Sequence, residues 1–170
     1  MKYAILLVFI CSFFLGCKKE VDCTIPLEFD VDQTRVALEG ETIDKYLLDS
    51  GITAQTHATG LRYVIHELGV GNTANLCSLV VKQYSLTLLD GTPIINTLGG
   101  SSAERTSLGV EIPAWKIGIP LVQDGGLITL YVPSPLGYGN TSRTFNNDGL
   151  NVTVPPNSIV VFKIAVMSVE

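Results

Sequence analysis

The sequence predicts an α+β domain in which a curved antiparallel sheet wraps around one short helix, and three observations predict it. First, three apolar runs are patterned for a sheet. In 79–89, Val80, Tyr84, Leu86 and Leu88 share one face, with Lys82 as the polar exception on it; 127–132 is a second strand, and in 158–169 Val160, Phe162, Ile164 and Val166 form a continuous inward face. Second, the only helix expected inside the domain is Ala114 to Leu121, entered from Pro113. Third, 46% hydrophobic and 16% charged residues, punctuated by 16 glycines and 8 prolines, fit a turn-rich globular protein rather than a disordered one. A length of 170 residues allows one such domain and an additional segment.

The elements are justified in order from the N-terminus. Lys2, the apolar run Tyr3 to Leu15 and then Gly16-Cys17 have the order of a signal peptide over 1–16, with an apolar part too short to span a bilayer comfortably. Cys17 directly after Leu15-Gly16 resembles the lipobox of bacterial lipoproteins, which would make it the lipidation site and the membrane anchor. Phe14 departs from that pattern, and an ordinary or an uncleaved signal segment is the alternative. Residues 17–40, with Lys18, Lys19, Glu20 and Asp22, read as a solvated tether. In 41–59, Ile43, Tyr46 and Leu47 stand at helical spacing before the stop at Ser50-Gly51, a short helical segment. The β part starts at Gly60-Leu61-Arg62-Tyr63-Val64-Ile65. Asp90-Gly91 makes a turn after the 79–89 strand. Trp115, Ile119 and Val122 face the sheet from the helix, which Pro120 limits to about Ile119 by removing a donor and crowding the preceding turn. The stretch 140–154, rich in Asn, Thr, Ser and Gly, reads as a long loop.

Several functions are excluded. Eleven basic residues against 16 acidic ones, a net charge of -5, do not provide the basic surface that a nucleic-acid partner needs. His57 and His66 have no partner at ligand or triad spacing and are expected at the surface. No nucleophile elbow, phosphate loop or dinucleotide fingerprint is present, which sets hydrolases and nucleotide enzymes aside. Of the four cysteines, Cys11 lies in the apolar run and Cys17 is the lipid candidate. Cys23 and Cys77 remain, paired by a disulfide in an oxidising compartment or free. No Cys-x-x-Cys or His-Cys cluster supports a metal, and no cofactor is implied.

The remaining motifs carry a resemblance. Ile112-Pro113-Ala114-Trp115, Tyr138-Gly139 and Pro155-Pro156-Asn157-Ser158-Ile159-Val160-Val161-Phe162, preceded by Gly60-Leu61-Arg62-Tyr63, resemble in order and spacing the FKBP-type peptidyl-prolyl isomerases over 60–170. The resemblance implies an FKBP-like fold and isomerisation of proline-containing polypeptides during folding in the bacterial cell envelope, on the outer membrane. In it Trp115 is the floor of a proline-sized pocket, and Tyr84, Phe162, Ile94 and Val154 supply apolar walls. The Tyr138 hydroxyl and the Ile112 amide hold substrate carbonyls, so Tyr84, Tyr138 and Ile112 form the catalytic set. The 140–154 loop becomes a flap over the pocket, and the 41–59 segment packs on the domain or on a second copy. Two departures stand out. Ile95 occupies the place of the family's Asp, and Glu104 to Ser107 replace an aromatic expected before Leu108-Gly109. These leave open a catalytically weak chaperone or peptide-binding module, and a structural lipoprotein that has kept only the fold. The sequence sets no oligomeric state.

Overall fold

A computed structural model describes residues 22–25, 29–147 and 149–170. The signal peptide, Cys17 and residues 18–21 and 26–28 of the expected tether lie outside the described residues.

The helix α1, Gln33–Asp49, begins eight residues before the expected helical segment and takes over the end of the expected tether. The cause is local. The Asp32 carboxylate caps it by accepting the Arg35 amide at 2.9 Å, and Val36, Gly40, Ile43 and Leu47 make one buried stripe at helical spacing. Gly40 is required there, since a Cβ would stand 2.5 Å from the Arg62 guanidinium. That guanidinium grips Asp44 of α1 through two nitrogens, at 2.9 and 2.6 Å, and Glu39 receives the Ser134 hydroxyl at 2.8 Å. Ile43 and Leu47 pack with Tyr131, Val64 and Val161.

The strands are β1 (Gln55–Thr56), β2 (Arg62–Glu67), β3 (Leu79–Leu88), β4 (Pro93–Asn96), β5 (Glu104–Ser107), β6 (Leu127–Val132), β7 (Arg143–Asn147), β8 (Leu150–Val154) and β9 (Val160–Val169). Seven form one antiparallel sheet in the order β1-β2-β6-β9-β3-β4, with β5 also paired to β3. The long strand β3 lies between β9 on one side and β4 plus β5 on the other, so its inward side chains sit at the centre. Val80, Lys82, Tyr84 and Leu86 are buried from β3, and Val160, Phe162, Ile164 and Val166 from β9. A register shift between Val81 and Lys82 then brings Val169 inward too.

The second helix, α2 (Pro113–Gly118), covers the face bearing Leu130 and Phe162, opposite the face that α1 covers at Tyr131 and Val161. Pro113 supplies the first helical position without wasting a donor, and Pro120 falls in a 3-10 turn, Ile119–Leu121, so the helix stops where expected. Gly118 lets α2 approach the sheet: a Cβ would lie 2.5 Å from Leu130. The expected loop 140–154 is instead largely the hairpin β7–β8, held by five paired positions from Arg143–Val154 to Asn147–Leu150. Cys23 and Cys77 are joined by a disulfide, which fixes the early part of the expected tether to the segment before β3.

Candidate active site

A cavity of about 360 Å³ opens between α2, β5 and the β7–β8 hairpin. Tyr84, Ile112, Trp115 and Tyr138 line it together, with Phe145 and Val110 as further apolar contributors. Four of the expected site residues therefore converge from β3, the start of α2 and the segment before β7.

Trp115 is placed by the first turn of α2. Its amide donates to the Ile112 carbonyl at 3.0 Å, and its ring meets Tyr84 edge-on at 5.0 Å and Phe162 at 5.2 Å between centroids. It is 4% exposed, and its Nε1 has no hydrogen-bond partner among the described residues. Phe162, Ile94 and Val154, expected as walls, are instead fully buried behind the cavity. Their positions on the inward faces of three strands commit them to the core. Phe162 acts as a support, with its ring against Trp115, Tyr84 and Tyr138. Ile95 is partly buried against the same core and does not line the cavity.

Two phenols and a backbone amide supply donors at the cavity. Burial first, then the nearby Glu104 and Glu111 carboxylates, pushes the Tyr84 hydroxyl up to about 12, and burial likewise raises that of Tyr138, with Arg143 opposing in both cases. Both phenols are therefore protonated at neutral pH. The Ile112 amide precedes the first turn of α2, and nothing among the described residues accepts a hydrogen bond from it.

Sequence reasoning missed the charges. Glu104 and Glu111 line one wall and Arg143 of the hairpin lines the other. Lys82, 0% exposed, lies behind Trp115 with Nζ 4.8 Å from the ring centroid. Its ammonium donates to Glu111 Oε1 at 2.9 Å and to Thr106 Oγ1 at 2.6 Å, and stands 3.9 Å from Glu104 Oε2. Desolvating an ammonium costs several kcal/mol, roughly, and the paired carboxylate, the hydroxyl and the indole face offset that. The signal was present in the alternation of β3, where Lys82 breaks an otherwise apolar inward face. His57 and His66 stand apart, each with its ring nitrogen near a threonine hydroxyl, Thr59 and Thr129. Among the described residues no group of three or more His, Cys, Asp or Glu is arranged to hold a metal ion.

The arrangement offers an apolar floor with the donors Tyr84, Tyr138 and the Ile112 amide around it. Comparison with known proteins identifies the family. Residues 71–167 match the family model described as FKBP-type peptidyl-prolyl cis-trans isomerase. The sequence is 30% identical to FKBP-type peptidyl-prolyl cis-trans isomerase FkpA of Escherichia coli over 127 residues, 75% of this chain and 43% of FkpA. It is 29% identical over 112 residues to outer membrane protein MIP of Legionella longbeachae, 66% of this chain and 45% of MIP. The chain thus spans less than half the length of these two relatives. The crystal structure of FkpA superposes with a TM-score of 0.64 over 82% of this chain and 61% of that one, at 29% identity. The crystal structure of AtFKBP13 superposes with a TM-score of 0.57 over 68% and 98%, at 25% identity.

Proposed function

Because the chain belongs to the FKBP-type peptidyl-prolyl cis-trans isomerases, we propose that its cavity binds a proline-containing polypeptide and accelerates rotation about the bond preceding the proline. That rotation has a barrier of about 18–20 kcal/mol because resonance stiffens the C–N bond, and uncatalysed it takes on the order of tens to hundreds of seconds. In the twisted state resonance is lost and the carbonyl is less polar, so a dry, apolar surface favours it over the planar amide. Trp115 receives the prolyl ring. The Ile112 amide and the Tyr138 hydroxyl hold carbonyls of the peptide on either side, leaving the twisting bond as the only part free to turn. Tyr84 adds a further protonated donor at the edge of the floor.

The single observation that carries this reading is the unspent Ile112 donor beside the Trp115 ring, in one cavity with two protonated tyrosines. The test is a proline-limited refolding assay with the purified protein. Acceleration of the slow phase, abolished in a folded Trp115→Ala variant, is the expected result, and an unaltered slow phase would refute the isomerase reading.

A second reading, a peptide-holding module with little turnover, is favoured by Ile95 in the family's acidic position and by the charged wall at Glu104 and Glu111. A slow phase left unaltered while a prolyl peptide still shifts Trp115 fluorescence would select it. The proposed setting is the bacterial envelope, with Cys17 as a lipid anchor to the outer membrane and folding envelope proteins as clients. The motif at Leu15-Gly16-Cys17 and the disulfide, which persists in oxidising compartments, support it. No helix among the described residues is long and apolar enough to cross a membrane.

A further inference from the structure

Lys82 is a buried charge that the mechanism above does not use, and burying it demands a return. Its partners are instructive. Glu111 directly precedes Ile112, and both residues line the cavity. Three hydrogen bonds fix the backbone on either side of the Ile112 amide. The Glu111 N–H donates to the Leu108 carbonyl at 3.1 Å, and the Ile112 carbonyl accepts the Trp115 and Lys116 amides at 3.0 and 3.2 Å. The plane of the Glu111–Ile112 peptide, which aims the Ile112 N–H, has no backbone hydrogen bond at the amide end. The carbonyl end of that peptide belongs to Glu111, whose side chain, only 16% exposed, is held by the Lys82 ammonium and the Thr106 hydroxyl, both donating to its Oε1. Lys82 stands on β3, paired on both flanks, and Thr106 on β5, itself paired to β3 opposite Val80. The same ammonium lies against the Trp115 ring. One buried charge therefore links the central strand to the donor and to the floor.

We infer that Lys82 is a positioning residue: through Glu111 it aims the Ile112 amide at the substrate carbonyl, and through the indole it fixes the tilt of the Trp115 floor. This deepens the isomerase reading and rests on it for the catalytic consequence. A donor that must meet a carbonyl in the twisted state loses value quickly when its direction is free, since small misplacements are costly in rate. Ground-state affinity, which comes from apolar contact, is affected less.

Lys82→Met alone strands the Glu111 carboxylate, a strongly destabilising change. The test therefore uses Lys82→Met and Lys82→Met/Glu111→Met, the second replacing the ion pair by an apolar pair that restores stability. The first measurement is the backbone order parameter of the Ile112 amide by NMR relaxation. A value near that of rigid backbone, about 0.85, is expected in the parent, and one below about 0.6 in the folded double variant. An unchanged order parameter at Ile112 in the folded double variant would overturn the inference, because Lys82 would then contribute stability only. The second measurement is kcat and KM on one prolyl peptide. The expected result for the double variant is a kcat lower by about tenfold with KM within about twofold. Parental kcat with a disordered Ile112 would also overturn it. A parent with no isomerase activity would sink the proposed function, while the order parameter would still decide whether Lys82 orders Ile112.

Discussion

Trp115 gives the sharpest quantitative test, because the structure assigns it two opposing contributions. Its ring is packed edge-on by Tyr84 and Phe162 and lies against the Lys82 ammonium, whereas its Nε1–H is buried with no partner among the described residues. Truncation to Ala removes the ring and leaves a cavity, a loss of about 3–5 kcal/mol, and it also exposes the buried ammonium to the loss of a contact of about 0.5–2 kcal/mol. The expected cost is near the upper end, about 5 kcal/mol, against a total stability of about 5–15 kcal/mol. Trp115→Phe behaves differently. It keeps one ring in the edge-on array and deletes the unpartnered donor, whose burial costs about 1–3 kcal/mol. That gain offsets most of the lost contact area, so Phe is expected within about 2 kcal/mol of the parent. Urea unfolding followed by far-ultraviolet circular dichroism measures both, since neither variant retains a tryptophan. A Phe variant as unstable as the Ala variant would show that the indole N–H is satisfied, and an Ala variant costing less than about 2 kcal/mol would show that the floor is not packed as described. Peptide binding separates the roles further: Ala abolishes it, and Phe retains it.

Four further outcomes are expected. Ile95 occupies the family's acidic position but packs against the core and does not line the cavity, so Ile95→Asp is expected to lower stability, by placing a carboxylate against apolar neighbours, and to leave kcat/KM on the same peptide little changed. A folded Ile95→Asp domain whose kcat/KM rises by about tenfold or more, the equivalent of about 1.36 kcal/mol at the twisting amide, refutes this. Reduction of the Cys23–Cys77 disulfide, which closes a 54-residue separation, lowers stability by about 4 kcal/mol on the chain-entropy account, read as a drop in urea midpoint with reductant. Because the Tyr84 hydroxyl is raised to about 12, above its ordinary value near 10, its contribution to stability is complete below pH 10 and is lost as pH rises through about 12. Activity and fold should accordingly be flat from neutral pH to about 10, and a tyrosine titrating in the folded protein at its ordinary value would contradict the burial described. Finally, Cys17→Ser releases the protein from the membrane fraction or leaves an unprocessed precursor; a variant that is processed and fractionates like the parent excludes the lipid anchor.

The strands and α2 were legible because their apolar alternation and their Pro and Gly stops are local signals. Val80, Tyr84 and Leu86, or Val160, Phe162 and Ile164, declare one face in the sequence, and that face is the one buried. The convergence of Tyr84, Ile112, Trp115 and Tyr138 was legible only through a family pattern, since no spacing rule connects residues on separate elements. What escaped depended on partners distant in sequence. The true start of α1 rests on the Asp32 cap and on burial of Val36 against the sheet domain, which the amphipathic count from Ile43 onward did not reach. Phe162, Ile94 and Val154 were read as walls because a sequence pattern cannot distinguish a residue that lines a cavity from one that props it from behind. Lys82 was noticed as an exception, but its meaning required Glu111, 29 residues away, and the indole against which the ammonium lies. The hairpin β7–β8 was hidden because most of its residues are polar and exposed, and its inward face is limited to Phe145, Val152 and Val154.

The disulfide sets a length scale. Cys17 and Cys23 are six residues apart, so with a lipid on Cys17 the bonded point of the folded body stands at most about 20 Å from the bilayer surface, even with the chain fully extended. Beyond the bonded cysteine the next described residue packed on the core is Phe29, and a leash from Cys17 to that point would reach about 40 Å. A folded body of this size has a radius of gyration of about 14 Å. With a lipid on Cys17, the oxidised protein would stand close to its own radius from the bilayer, and reduction would about double its range. Reflectometry on a supported bilayer reads that standoff as a layer thickness, and a thickness indifferent to reductant would mean that something other than Cys23 does the mooring.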